Sequence, residues 1–220
     1  HQRVADVEGT GVTVFYPHGK VSDIQRLQMA TQRGANVAVC AIEGNFDDAQ
    51  TQVKRIFADV ALRERLAEKN IVLSSANSIN VGRLVPQVTY YFDAYAQLVA
   101  AGKLRSGDAI DFCVPTGNFG DVLAGYYAKL MGLPVRKLIV ASNANDVLTD
   151  FIATGTYDRR RPFHKTISPS MDILVSSNLE RLLFYLSDGD CELVSSLMKD
   201  LADQGFYTVP EDVLERLHET

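Results

Sequence analysis

The sharpest chemical feature of the sequence is the octet Val114-Pro115-Thr116-Gly117-Asn118-Phe119-Gly120-Asp121. Two glycines around a turn let several backbone N–H groups converge without side-chain interference. A β-rich run precedes the octet and a helical run follows, so the positive end of a helix dipole adds to its pull on an anion. In an open α/β sheet this strand-to-helix position lies at the carboxyl edge, where ligands bind. The predicted chemistry is a phosphate cradle; the competing reading is an ordinary glycine-containing turn. The octet is neither a Walker loop, since no Gly-Lys-Ser/Thr follows, nor a G-x-G-x-x-G fingerprint.

A second candidate is Ser75-Ala76-Asn77-Ser78-Ile79-Asn80-Val81-Gly82-Arg83. Here small polar residues and amides precede a helix, and Arg83 offers a planar fork of donors that matches phosphate oxygens. The alternative is structural, with Ser78 or Asn80 capping the helix and Arg83 on the surface. Tyr90, Tyr91, Phe92 and Tyr95 share one turn spacing and are predicted to be core rather than a stacking platform. The four histidines, His1, His18, His164 and His218, have no metal-ligand spacing. No Ser/His/Asp or Cys/His set can be picked out.

The elements that must position these groups alternate. Strand-like runs cover Val12–Tyr16, Asn36–Ile42, Ile71–Leu73, Ala109–Val114 and Arg136–Ala141. Helical runs cover Asp23–Gln32, Phe46–Lys69, Arg83–Ala101, Gly120–Met131, Asp146–Ala153, Leu179–Leu186, Cys191–Gln204 and Glu211–His218. Ser22 is the expected N-cap of the first helix, and Pro86 is expected in the first turn of the third. Residues 155–177 read as one long loop. The order implies an α/β protein with mostly parallel sheets.

Composition is that of an ordinary globular chain: 46% hydrophobic and 22% charged residues in 220. A formal net charge of -5 argues against a nucleic-acid surface, and Arg159-Arg160-Arg161 reads as a solvated turn. No run approaches the roughly 20 apolar residues of a membrane helix. The start His1-Gln2-Arg3-Val4 shows neither an initiator Met nor a signal pattern. Cys40, Cys113 and Cys191 are too far apart for a CxxC pair; Cys40 and Cys113 are expected as buried free thiols, in a reducing, cytoplasmic compartment.

Taken in order, several motifs resemble threonine synthase of the long bacterial and fungal form. They include Phe15-Tyr16-Pro17-His18-Gly19-Lys20-Val21-Ser22, Glu43-Gly44-Asn45-Phe46-Asp47-Asp48, Asn77-Ser78-Ile79-Asn80 with Arg83, and Val114 to Asp121. Met131-Gly132-Leu133-Pro134, Ser168-Pro169-Ser170-Met171-Asp172-Ile173 and Ser176-Ser177-Asn178-Leu179-Glu180-Arg181 continue the series. The resemblance runs through nearly the whole chain. It implies a fold-type II pyridoxal 5′-phosphate enzyme, similar to the tryptophan synthase β subunit. Residues 1–78 would be part of the smaller α/β domain and 79–220 part of the larger, cofactor-phosphate-binding one.

The implied reaction turns O-phospho-L-homoserine and water into L-threonine and phosphate. By resemblance, Gly117, Asn118, Phe119, Gly120 and Asp121 hold the cofactor phosphate, and Asn77, Ser78, Arg83 and Asn118 hold the substrate phosphate. The family's Schiff-base lysine lies in a Phe-Lys-Asp context that none of the eight lysines here shares. That context is expected upstream of this chain, which is therefore predicted to be inactive alone and more prone to association than the complete enzyme. The alternatives are a phospho-lyase on the same fold, yielding 2-oxobutyrate, and a non-enzymatic module that binds phosphate or pyridoxal phosphate.

Overall fold

The computed structural model describes residues 5–44, 46–77 and 80–220, so Ser78 lies outside the described residues. The chain divides into two compact units, one ending at Ala76 and one spanning Asn77–Thr220.

In the first unit, β1 (Val12–Pro17) pairs in parallel with β2 (Val37–Ile42), Val12 opposite Val37 and Pro17 opposite Ile42. Between them α1 (Asp23–Ala30) starts with the expected cap: Gln25 N–H donates to Ser22 Oγ at 3.3 Å, and Ser22 N–H to Gln25 Oε1 at 3.5 Å. The single helix predicted over 46–69 is two, α2 (Phe46–Ala58) and α3 (Val60–Ala67). Asp59 breaks it. Its backbone is extended and its carboxylate accepts the Leu62 N–H at 2.9 Å, so a mid-sequence aspartate caps a new helix instead of continuing the old one. Ile71–Leu73 is not a strand: no described strand pairs with it, and Val72 is 89% exposed.

The second unit holds the larger core. Here α4 (Val81–Leu84), a 3-10 turn over Val85–Gln87 and α5 (Val88–Ala100) replace the one helix predicted over 83–101. Pro86 has no N–H to donate, so it sits where the chain tightens between the two helices. Next, β3 (Ile110–Pro115) pairs in parallel with β4 (Val135–Ala141), with α6 (Gly120–Leu130) between them and α7 (Val147–Thr154) after them. Buried Leu123, Phe151, Leu182 and Val213 mark the centre of this core. Tyr91 belongs to it, whereas its neighbour Tyr90 is exposed. α6 lies close against α5 and β4: a Cβ on Gly125 would fall 2.7 Å from Tyr91 Cε1 and 2.9 Å from Leu138 Cδ2.

Two short strands went unseen in the sequence. β5 (Thr156–Asp158) pairs antiparallel with β6 (Phe206–Thr208), which joins the region after α7 to the end of the chain beyond α8 (Leu179–Leu186) and α9 (Cys191–Asp203). Tyr157 stacks on Tyr207 at 5.4 Å across this pair, and Phe151 meets both rings edge-on. The final helix is α10 (Glu211–Glu219).

The arginine triplet is partly solvated, with Arg160 exposed, but all three side chains are engaged. Arg159 donates to the Ala202 carbonyl at 3.1 Å, and Arg160 pairs with Asp158 at 2.8 Å over the face of Phe206. Arg161 bridges Asp146 at 2.9 Å and Asp150 at 2.8 Å. The cysteines also differ from expectation: Cys40 and Cys113, like Cys191, are exposed. In each strand the alternation turns the cysteine away from the inward residues, half-buried Val39 on β2 and half-buried Phe112 and buried Val114 on β3, onto a face that no described element of its unit covers.

Candidate functional site

The octet occupies the turn from β3 to α6, as its residue types require. Thr116 N–H still pairs with the Ala141 carbonyl at 2.9 Å, the last ladder bond of the sheet. The chain then leaves the sheet at its carboxyl edge. Phe119 adopts a left-handed conformation, φ 60° and ψ -3°, directly before the helical Gly120. A left-handed residue next to a helical one turns successive N–H groups toward a common point, a concave anion nest. This conformation is strained for a residue with a large side chain. Burial of the Phe119 ring in the core offsets the strain.

The decisive geometry is in the main-chain hydrogen bonds. Among the described residues, the N–H groups of Gly117, Asn118, Phe119, Gly120 and Asp121 donate to no acceptor. The last of these are the open donors of the α6 N-terminus. Gly117, Phe119 and Gly120 are buried, and buried amides without a partner are rare in folded proteins. Five in a row at the positive end of an 11-residue helix have the chemistry to take an anion with several acceptor oxygens.

The far side of the loop is fully engaged. Ser176 Oγ donates to the Gly117 carbonyl at 2.6 Å, and Asn178 Nδ2 donates to the Asn118 carbonyl at 2.8 Å. The Ser177 hydroxyl and backbone N–H donate to Asn118 Oδ1 at 3.1 and 3.4 Å. Gly117 is needed for this contact. A Cβ there would meet Ile173 Cγ1 at 3.0 Å and the Ser170 carbonyl at 3.2 Å. The segment behind it is pinned by Asp172, whose Oδ1 accepts from Asn143 Nδ2 and Thr166 Oγ1, each at 2.7 Å, and whose Oδ2 accepts from Thr166 N–H at 2.9 Å. At the rim, Tyr91 donates to the Asp121 carbonyl at 2.8 Å. Burial, then the neighbouring Asp121 carboxylate, drives the Tyr91 pKa well above its usual value, so the hydroxyl keeps its proton. Burial also raises Asp121, against the lowering effect of the Tyr91 hydrogen bond.

A cavity of about 50 Å³ lies below the loop, lined by Phe119, Val122, Tyr126, Leu138, Val140 and Ile152 among others. It is a packing defect of the core, far smaller and more apolar than a cofactor pocket of roughly 300 Å³ or more.

The chain is similar to known proteins along nearly its whole length. The chain is 46% identical over 216 residues to human threonine synthase-like 1, covering 97% of this chain and 29% of that protein. It is 42% identical over 219 residues to the threonine synthase of Eremothecium gossypii, covering 96% of this chain and 41% of the relative. A crystal structure of threonine synthase from Brucella melitensis with bound pyridoxal phosphate superimposes with a TM-score of 0.80 at 43% identity, over 96% of this chain and 43% of that one. The chain is a homologue of one segment of the threonine synthases. No protein-family model matches it. It spans between about three and four tenths of the length of these relatives. The fold is the α/β fold of the pyridoxal-phosphate-bound threonine synthase.

Within this threonine-synthase homologue, the structure brings together all five residues predicted for the cradle. Asn77 and Arg83 lie in the same unit as the cradle, on the approach to α4 and on α4 itself, and α4 packs against α6. Asn80 caps α4, accepting the Gly82 N–H at 2.9 Å, which realises the structural alternative for that residue. Arg83 is exposed on the same helix. Reading the sequence missed the support residues Ser176, Ser177, Asn178, Asn143 and Asp172. The available signal was three small polar residues set directly before an apolar helix, a pattern that also describes an ordinary helix start.

Proposed function

We propose that the polypeptide carrying this segment is a threonine synthase, which converts O-phospho-L-homoserine and water into L-threonine and phosphate with pyridoxal 5′-phosphate as cofactor. The observation that carries this reading is the row of five unengaged amides from Gly117 to Asp121, in a chain 42% identical to a fungal threonine synthase. The donor set fits the cofactor: a phosphate ester presents several acceptor oxygens and negative charge, and the nest presents several N–H groups and a helix dipole. The cofactor ring, when bound, supplies an electron sink for carbanion chemistry.

The residues of this chain bind and orient. Gly117, Phe119, Gly120 and Asp121 offer backbone donors to the cofactor phosphate. Asn118 offers its backbone N–H there, while Ser177 engages its side-chain oxygen and leaves Nδ2 to donate to the substrate phosphate. Arg83 adds a charged, bidentate fork for that second phosphate, with Asn77 and Ser78 as neutral donors. The Schiff-base lysine belongs to another part of the polypeptide. Residues 1–78 contribute to the smaller domain and 79–220 to the larger. Three exposed free thiols suit a reducing, cytoplasmic setting.

The test is phosphate release from O-phospho-L-homoserine, with product analysis, in a polypeptide extended to the length of the relatives and supplied with pyridoxal phosphate. Equal amounts of threonine and phosphate are expected, with none from residues 1–220 alone. Release of 2-oxobutyrate in place of threonine would make the protein a phospho-lyase. No release from the extended polypeptide would leave only a binding module.

A further inference from the structure

We infer that Ser176 and Asn178, the latter backed by Arg181, aim the amides of the cradle and thereby set its affinity for a phosphate; this rests on the cradle reading above. The argument starts from the planarity of the peptide group. In a trans peptide the C=O and the N–H point in opposite directions, and every described peptide bond here is trans. The Gly117 carbonyl shares its plane with the Asn118 N–H, and the Asn118 carbonyl shares its plane with the Phe119 N–H. Ser176 Oγ holds the first carbonyl at 2.6 Å and Asn178 Nδ2 holds the second at 2.8 Å. Both N–H groups are therefore turned away from the 176–178 segment, toward the open side of the nest. Without these two bonds the peptide planes are free to rotate and the donors lose their common aim.

The holding residues are themselves fixed. Asn178 is 1% exposed and stands in a left-handed conformation, φ 79°. Arg181 donates to Asn178 Oδ1, which leaves Nδ2 as the only group that can face the Asn118 carbonyl. The Ser176 N–H donates to the Tyr157 hydroxyl at 2.8 Å, and that hydroxyl donates to the Leu174 carbonyl at 3.0 Å. The result is a relay: Arg181 to the Asn178 amide, to the Asn118–Phe119 peptide, to the anion. Hydrogen bonds in such a chain polarise one another, so the Arg181 charge strengthens the Phe119 N–H as a donor without touching the ligand. Ser176, Asn178 and Arg181 are positioning residues, not catalytic ones.

The experiment compares pyridoxal 5′-phosphate with pyridoxal, which has the same ring and aldehyde but no phosphate, as ligands of the full-length protein. Dissociation constants and melting temperatures are measured for the wild type, Asn178→Gly, Ser176→Ala, Arg181→Gln and Arg181→Lys. Asn178→Gly tolerates the left-handed backbone and removes the side chain with its amide. The wild type is expected to prefer pyridoxal phosphate strongly. Asn178→Gly should weaken pyridoxal phosphate roughly tenfold and leave pyridoxal unchanged, and Arg181→Gln should weaken it roughly threefold, with part of the loss restored in Arg181→Lys. Variants that melt earlier but keep the wild-type preference, or that lose both ligands equally, would overturn the relay and leave a structural role. A wild type without preference would overturn the cradle itself, and this inference with it.

Discussion

The two units use the same local grammar and reach different ends. The described residues up to Ala76 form two paired strands and three helices, yet α1 and α3 have no fully buried side chain, and Ile24, Leu27, Val60 and Ile71 stand exposed. Residues 77–220 interlock helices, a parallel pair and an antiparallel pair around one continuous apolar core. The first unit shows that caps and strand pairing suffice to shape elements. The second shows what it takes to hold a loop with five unengaged amides: a strained Phe119 anchored in a core and carbonyls gripped from behind by buried side chains. A rigid site needs an over-determined surround.

The sharpest break of this contrast is core truncation. Leu123→Ala, on the buried face of α6, should cost about 2–5 kcal/mol in denaturant unfolding, since Leu123 is fully buried. Ile24→Ala on the exposed face of α1 should stay within about 0.5 kcal/mol. Equal effects would erase the difference between the units. Next in size is Gly125→Ala, where the added methyl meets Tyr91 and Leu138. A loss of about 1–3 kcal/mol is expected from overpacking, with Tyr91 displaced from Asp121. An unchanged melt would show that α6 has room to move.

A smaller effect sharpens the view of the first unit. Ser22→Ala removes the N-cap of α1 and should cost about 1 kcal/mol locally. Hydrogen exchange should speed up in α1 and stay unchanged in α6. Protection lost in both would mean the units unfold together. The smallest effect is a pH dependence. Arg160 beside Asp158 holds that carboxyl down at about 2. A depressed folded-state pKa gives stability that is present above the unfolded value, near 4, and is lost as pH falls toward 2. The pair is largely solvated, so the loss should be small and shrink with salt. Asp158→Asn should flatten that part of the pH profile; an identical profile would remove the pair from the account.

The same contrast explains what the sequence made legible. β1, β2, β3 and β4 are short runs containing two or three β-branched residues and followed by turn residues, and each is found close to its expected bounds. The place of the Gly117–Asp121 loop, between a strand and a helix, was legible from its glycine pair and flanking runs, although an ordinary glycine-containing turn reads the same way. Asp59 was not: an aspartate inside an amphipathic run reads as surface until its carboxylate is seen capping the next turn. β5 and β6 have three residues each, too short for any period, and exist through the stacking of Tyr157 on Tyr207. Ile71–Leu73 shows the reverse, a strand-like run with no described strand to pair with. The grip of 176–178 on 117–118 joins positions about sixty residues apart, and no local pattern carries that distance.

The central claim is that the Gly117–Asp121 amides take the phosphate of the cofactor. Amide NMR of the full-length protein, isotopically labelled at glycine, asparagine, phenylalanine and aspartate, tests it most directly. Adding pyridoxal phosphate should move the five amide protons of this loop downfield as they gain charged acceptors, and adding pyridoxal should leave them in place. Shifts confined to other residues, or equal shifts with both ligands, would contradict the account.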